Sequence, residues 1–198
     1  MNKSKNSLPH LRKPKNAECR EREHLTEHEI DKLMRAAKNI GRHGHRDSTM
    51  ILIAYRHGLR ITELVRLKWS QIDLYQGLLH VNRLKNGIQS THPLAGVEIR
   101  SLRKLKRDYP ETDFLFVSER KAPVTDHTFR KILTRASQFA KLDLKVHPHM
   151  LRHAAGFKLA NDGNDTRSIQ LYLGHRSIQN TIRYTELSSE RFKNFWQD

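Results

Sequence analysis

One cysteine, Cys19, stands in 198 residues, so the chain has neither a disulfide framework nor a thiolate metal site. Long hydrophobic runs are missing as well. The longest, Met50 to Tyr55, falls far short of the roughly 20 residues that span a bilayer as a helix. Lysines near the N-terminus are followed by no apolar stretch, which argues against a secretory signal and for a soluble, cytoplasmic protein. Acidic charge is scarce too: 21 Asp and Glu face 37 Lys and Arg, a formal net charge of +16. A field of that sign collects polyanions, and nucleic acid is the partner it fits best. A membrane surface is the alternative, but the basic residues run along the whole chain instead of forming one amphipathic stripe. No carboxylate cluster suited to Mg²⁺ is evident, so the expectation is a protein without metal or cofactor.

What is present divides the chain unevenly. Residues 1–24 carry Lys3, Lys5, Arg12, Lys13, Lys15, Arg20 and Arg22 with almost no large apolar residues; they read as a basic, flexible arm, or equally as a plain solvated tail. Order is expected from Leu25 onward, so residues 25–198 form one domain. Thr26 and Glu29 make a capping box, and Ile30, Leu33, Met34 and Ala37 follow at helical spacing. The segment 41–45 reads as a loop. A buried helix over 47–57 comes next, with Gly58 at its C′ position, then a further helical turn or two over 62–67. The period then changes. Leu79, Val81 and Arg83 alternate with polar residues up to Asn86-Gly87, a dipeptide suited to a tight hairpin turn, which predicts a small antiparallel sheet over 72–94. Helices are predicted over 97–108, 126–140 (inner face Phe129, Ile132, Leu133, Ala136 and Phe139), 149–162, 166–173, 178–184 and 189–196. The fold class is α+β, mostly helical with one small sheet.

Six residues in four segments share one chemistry: Arg60 in G58-L-R-I-T-E-L64, Lys85 in R83-L-K-N-G87, His149 and Arg152 in H149-M-L-R-H153, and His175 with Tyr184 in L173-G-H-R-S-I-Q-N-T-I-R-Y184. Cleaving a phosphodiester requires charge on the non-bridging oxygens to be neutralised, a nucleophile, and a proton for the leaving oxygen. Two arginine forks can hold one phosphate from two sides. A tyrosine, helped to lose its proton, can attack it and keep the bond energy in a phosphotyrosine link. Each residue also has a plainer reading: Arg60 as a backbone-phosphate contact or helix cap, His175 as a helix-end histidine, Lys85 as a solvated turn residue, Tyr172 as packing. His149 and His153 are spaced i, i+4 like zinc ligands, but Met150 replaces the glutamate of H-E-x-x-H. The segments carry weight together.

Together they resemble the tyrosine recombinase (phage integrase) family. Gly58–Leu64 matches its first-arginine motif, Lys85 its hairpin lysine, and His149–His153 its H-x-L-R-H box; the L-G-H follows, with Tyr184 nine positions after His175. The chain is similar above all to the short fimbrial phase-variation invertases, at S90-T-H-P-L94, H147-P-H-M-L-R-H153 and L159-A-N-D-G-N-D-T-R-S-I-Q170. The resemblance implies a tyrosine-recombinase catalytic domain that cuts and rejoins DNA through a 3′-phosphotyrosine, without metal or ATP, with Arg60, Lys85, His149, Arg152, His175 and Tyr184 as the catalytic set. It implies double-stranded DNA bearing inverted repeats as partner, and inversion of a promoter segment that switches fimbrial genes. A homo-tetramer is implied in the synaptic complex, weakly associated or monomeric without DNA, at the bacterial nucleoid. Only about two dozen residues precede Leu25, so a separate core-binding domain is not expected. Phe192, Phe195 and Trp196 are expected to serve assembly. Alternatives in the same frame are a mobile-element integrase, a non-catalytic DNA-binding regulator, and a nicking-closing enzyme of the type IB topoisomerase kind.

Overall fold

Local signals start most of the helices. The structure, a computed structural model that describes residues 22–83 and 88–186, begins with α1 (Glu27–Asn39). Its capping box forms in both directions: the Glu29 amide donates to Thr26 Oγ1 at 3.3 Å, and the Thr26 amide to Glu29 Oε2 at 2.8 Å. Such a cap is worth about 1 kcal/mol. Helix α2 (Gly44–Arg56) starts earlier than its pattern suggests and takes in part of the expected 41–45 loop. The reason is the approach of α1: a Cβ at Gly44 would lie 2.0 Å from the Lys38 carbonyl oxygen, so glycine lets the first turn of α2 sit against the end of α1.

After a short α3 (Ile61–Val65), three strands form an antiparallel sheet in the order β1 (Ile72–Asp73), β2 (Leu78–Val81), β3 (Ser90–Pro93). In β2, Leu79 and Val81 point to the core while His80 faces out, the alternation a half-buried strand requires. The register pairs Val81 with Ser90 and Leu78 with Pro93. The Asn86-Gly87 turn, Lys85, the expected 189–196 helix with its aromatic residues, and the arm up to residue 21 lie outside the described residues.

Helices α4 (Gly96–Asp108) and α5 (Asp126–Phe139) follow, the latter capped by Thr125. Phe129, Ile132, Leu133 and Ala136 are buried as expected, but Phe139 is 61% exposed. At about 100° per residue, Phe139 falls roughly 70° off the axis of that stripe, and the helix ends there before the chain turns away. Helix α6 (Pro148–Asn161) is central, with Met150, Leu151, Arg152, Ala154, Ala155, Gly156 and Ala160 all buried. Its run of small residues lets neighbours approach closely. Helices α7 (Thr166–Leu173, capped by Asp165) and α8 (Gln179–Glu186) pack on it around a second, small core of Ala160, Ile169, Leu173 and Tyr184. The mostly helical architecture with one small antiparallel sheet is the one the sequence predicts.

Candidate active site

Arg60 is placed by a glycine. Gly58 turns the chain out of α2 with φ +55°, and a Cβ there would meet Leu173 Cδ2 at 2.3 Å. A side chain at this position would thus be strained and would also push α7 away. Two residues later Arg60 sits at the start of α3, its amide on Glu63 Oε2 at 2.9 Å and its Nη1 on Glu63 Oε1 at 2.8 Å. The Arg60 side chain stays 31% exposed, so the guanidinium reaches the surface. Burial alone would raise the Glu63 carboxyl, but Arg83 and Arg60 hold it below the usual carboxylate range.

Arg152 fastens α6 to the same turn. Its Nη1 donates to the Gly58 carbonyl and its Nη2 to the Leu173 carbonyl at 2.7 Å, joining the α2–α3 connection to the end of α7. Burial, with Arg60 and Arg83 nearby, brings its guanidinium down to about 9, which leaves it charged at neutral pH. Three guanidinium groups therefore share a small region with the buried carboxylate of Glu63.

His175 follows Gly174 at the end of α7. Its Nδ1 lies 2.8 Å from Thr181 Oγ1, and its ring is nearly parallel to that of Tyr184, 6.3 Å between centroids. Burial first, and then Arg152, Arg60 and Arg83, push it down to about 3, so the imidazole is neutral with one N–H to donate. Tyr184 on α8 is only 1% exposed. Its ring meets Phe157 edge-on at 5.1 Å, and its hydroxyl lies 2.9 Å from His153 Nδ1. Burial raises the phenol above its usual range, against the pull of Arg152 and Arg183. The Tyr184 hydroxyl is therefore shielded from solvent in this structure.

The structure thus gathers Arg60, Arg152, His175 and Tyr184. His149 is exposed in the first turn of α6, its ring 6.4 Å from that of His147. The imidazole at the phenol is His153, which the sequence offers as a metal-ligand candidate and as the last residue of the H-x-L-R-H box. Burial and then Arg183 push it down to about 4, so Nδ1 can accept the phenol hydrogen. Its i+4 relation to His149 could have flagged it; the contact with Tyr184, 31 residues away, could not have been read from spacing. Arg83 is hidden for a similar reason, since in the sequence it is one more alternating residue of a strand. Among the described residues, no three His, Cys, Asp or Glu side chains come together as a metal site.

Two expected results arise here. A Cβ at Gly156 would lie 2.6 Å from Tyr184 Cε2. Gly156→Ala should therefore cost about 1–3 kcal/mol of stability by overpacking. Denaturant melts would show it, and an unchanged midpoint would mean the ring has room to move. The second concerns acid. An unfolded chain protonates its histidines near pH 6.5, whereas folded His92 and His175 resist until about pH 3, chiefly because they are buried. Between those values the unfolded state holds more protons, so stability is full above pH 6.5 and falls as pH drops, by about 2 kcal/mol per histidine at pH 5. Thermal melts at pH 7.5 and 5.0 should differ clearly, and less so in His92→Gln. Equal melting temperatures would contradict this account.

A helical domain around one small sheet, with two arginines and a histidine beside a tyrosine on the last described helix, matches site-specific tyrosine recombinases. The chain belongs to the phage integrase family, whose sequence profile matches residues 23–191. It is 40% identical over 185 residues to the type 1 fimbriae regulatory protein FimB of Escherichia coli K12, covering 91% of this chain and 92% of that protein. FimE of the same strain is 40% identical over 182 residues, covering 89% of this chain and 91% of its own. Among solved structures, XerA recombinase superimposes with a TM-score of 0.75 at 27% identity, over 88% of this chain and 65% of XerA. The chain thus spans a little under two thirds of XerA but nearly all of FimB and FimE.

Proposed function

We propose that this recombinase inverts a promoter segment between short inverted repeats in double-stranded DNA, through a covalent link at Tyr184. Tyr184 Oη attacks the scissile phosphorus, the bond to the 5′ oxygen breaks, and a 3′-phosphotyrosine forms. The freed 5′ hydroxyl of another strand then attacks that link and releases the tyrosine. Arg60 and Arg152 hold the non-bridging oxygens, where fixed positive charge in a partly dry site acts most strongly on the transition state. His175, neutral and with one N–H, adds a hydrogen bond to the same phosphate. Lys85 protonates the leaving 5′ oxygen, and His149 assists at the tyrosine's proton once DNA is bound. His153 occupies that place in the resting arrangement.

The observation that carries the reading is the convergence of Arg60, Arg152 and His175 beside Tyr184 from three separate stretches of chain. Similarity to FimB and FimE over nearly their whole lengths supports fimbrial control as the setting. Inversion needs two sites held together, which supports a tetramer on DNA built from protomers that associate weakly without it. Residues 25–198 form the catalytic domain in this reading, with 1–24 as a basic arm on the DNA. The test is to place the DNA flanking its own gene on a plasmid and follow orientation by amplification across each junction. Both orientations should appear when the protein is expressed, with no loss of the segment. Joining of separate circles without inversion would indicate an integrase instead, and no rearrangement would remove the proposal.

A further inference from the structure

Arg83, at the exit of β2, has a side chain 0% exposed to solvent, and that of its partner Glu63 is 1% exposed. Its Nη1 donates to Glu63 Oε2 at 2.8 Å and its Nη2 to the Tyr172 and His57 carbonyls. Its Nε has no hydrogen-bond partner among the described residues. Its stem lies so close to the chain that a Cβ at Gly174 would be 2.7 Å from Arg83 Cγ, and Gly174 immediately precedes His175. Arg83 spends its fork inside the protein, on Glu63 and two carbonyls, and keeping such a charge buried is costly unless its partners are well placed. Burial alone would pull its guanidinium down, and Glu63 opposes that shift.

The division of labour on Glu63 explains why such a group is worth keeping. Oε2 accepts from Arg83 and from the Arg60 amide, and Oε1 from a single nitrogen of the Arg60 guanidinium. Without Arg83, Oε2 would lose its guanidinium donor. Arg60 is then the cation placed to satisfy both oxygens, and a two-pronged pair with Glu63 would draw its fork away from the surface.

We infer that Arg83 is a positioning residue of the phosphate clamp: it holds Glu63 so that Arg60 keeps its guanidinium available for the scissile phosphate, and it seats the turn that carries His175. The inference rests on the assignment of Arg60 to that phosphate. Its test compares Arg83→Met, Arg83→Lys and Arg60→Ala on the protein's own recombination site, in a nicked duplex that traps the cleaved product. The scissile phosphate is used in its ordinary form and as a methylphosphonate, in which a methyl group replaces one charged non-bridging oxygen. Thermal melting checks that each variant is folded; Arg83→Lys, whose ammonium still reaches Glu63, serves if Arg83→Met is not.

On ordinary DNA, Arg83→Met should bind normally yet cleave roughly 10²-fold more slowly, like Arg60→Ala, with Arg83→Lys in between. On the methylphosphonate, where less charge needs neutralising, both deficits should shrink to within about tenfold of the unaltered protein. A merely structural role for Arg83 would leave its variants equally slow on either substrate. Relief of Arg60→Ala without relief of the Arg83 variants overturns the inference and leaves the Arg60 assignment standing. Relief of neither overturns both. Cleavage of ordinary DNA by Arg83→Met at the unaltered rate overturns the inference alone.

Discussion

Removing either clamp arginine should slow strand cleavage by ~10²–10³-fold while changing DNA affinity only modestly. Two positions make the comparison informative because they differ in what else they do. Arg60 is partly exposed and has one side-chain partner, so Arg60→Ala leaves a single buried acceptor, Glu63 Oε1, without its guanidinium donor. Arg152 is buried and satisfies the Gly58 and Leu173 carbonyls, so Arg152→Ala strands two buried acceptors as well. That variant should lose about 1–3 kcal/mol of stability for each acceptor left unpaired, besides its rate. Single-turnover cleavage and equilibrium binding, measured side by side, separate the effects. Equal losses in cleavage and binding would mean that these arginines only position the DNA.

Tyr184→Phe carries the larger effect: it should leave binding intact and abolish covalent attachment altogether. The substitution removes one oxygen from a ring packed against Phe157 and Gly156, so the core around it is kept. The same change should relieve the buried hydroxyl's need for His153, and the variant should melt within about 1 kcal/mol of the parent. Tyr172 supplies the control. It stacks on His92 at 3.8 Å with its hydroxyl on the Arg56 carbonyl, and burial pushes its phenol up to about 12. Tyr172→Phe should still form the adduct. Loss of attachment in Tyr172→Phe, with Tyr184→Phe still reactive, would exchange their roles.

Features governed by neighbours in the chain were the legible ones. The Thr26–Glu29 box, the glycine after α2, the alternation through Leu79 and Val81, and the apolar spacing on α5 are each local rules that the fold obeys. The four segments of the site were legible because each keeps its chemistry in a few adjacent residues. Contacts between them were not. His153 meets Tyr184, and Arg83 meets Glu63 and Tyr172, across 31, 20 and 89 residues, and no periodicity encodes such pairs. Arg83 is hidden further by composition, since any buried arginine in a chain with 37 Lys and Arg looks like surface. Phe139 erred the other way: its apolar character suggested the core, but its angular position at the end of α5 places it outside. The burial of Tyr184 follows from packing on Gly156 and His153, which becomes visible only when α6 and α8 are side by side.

The most direct measurement is the chemistry of the covalent adduct itself. The protein is incubated with its recombination site carrying a nick that lets the cut strand diffuse away; the adduct is isolated, digested with trypsin and nuclease, and sequenced by mass spectrometry. The account predicts one modified peptide, with the nucleotide joined through its 3′ phosphate to Tyr184 and a free 5′ hydroxyl on the released strand. A link through a 5′ phosphate, attachment at Tyr172 or at a serine, or cleavage with no covalent intermediate would contradict it.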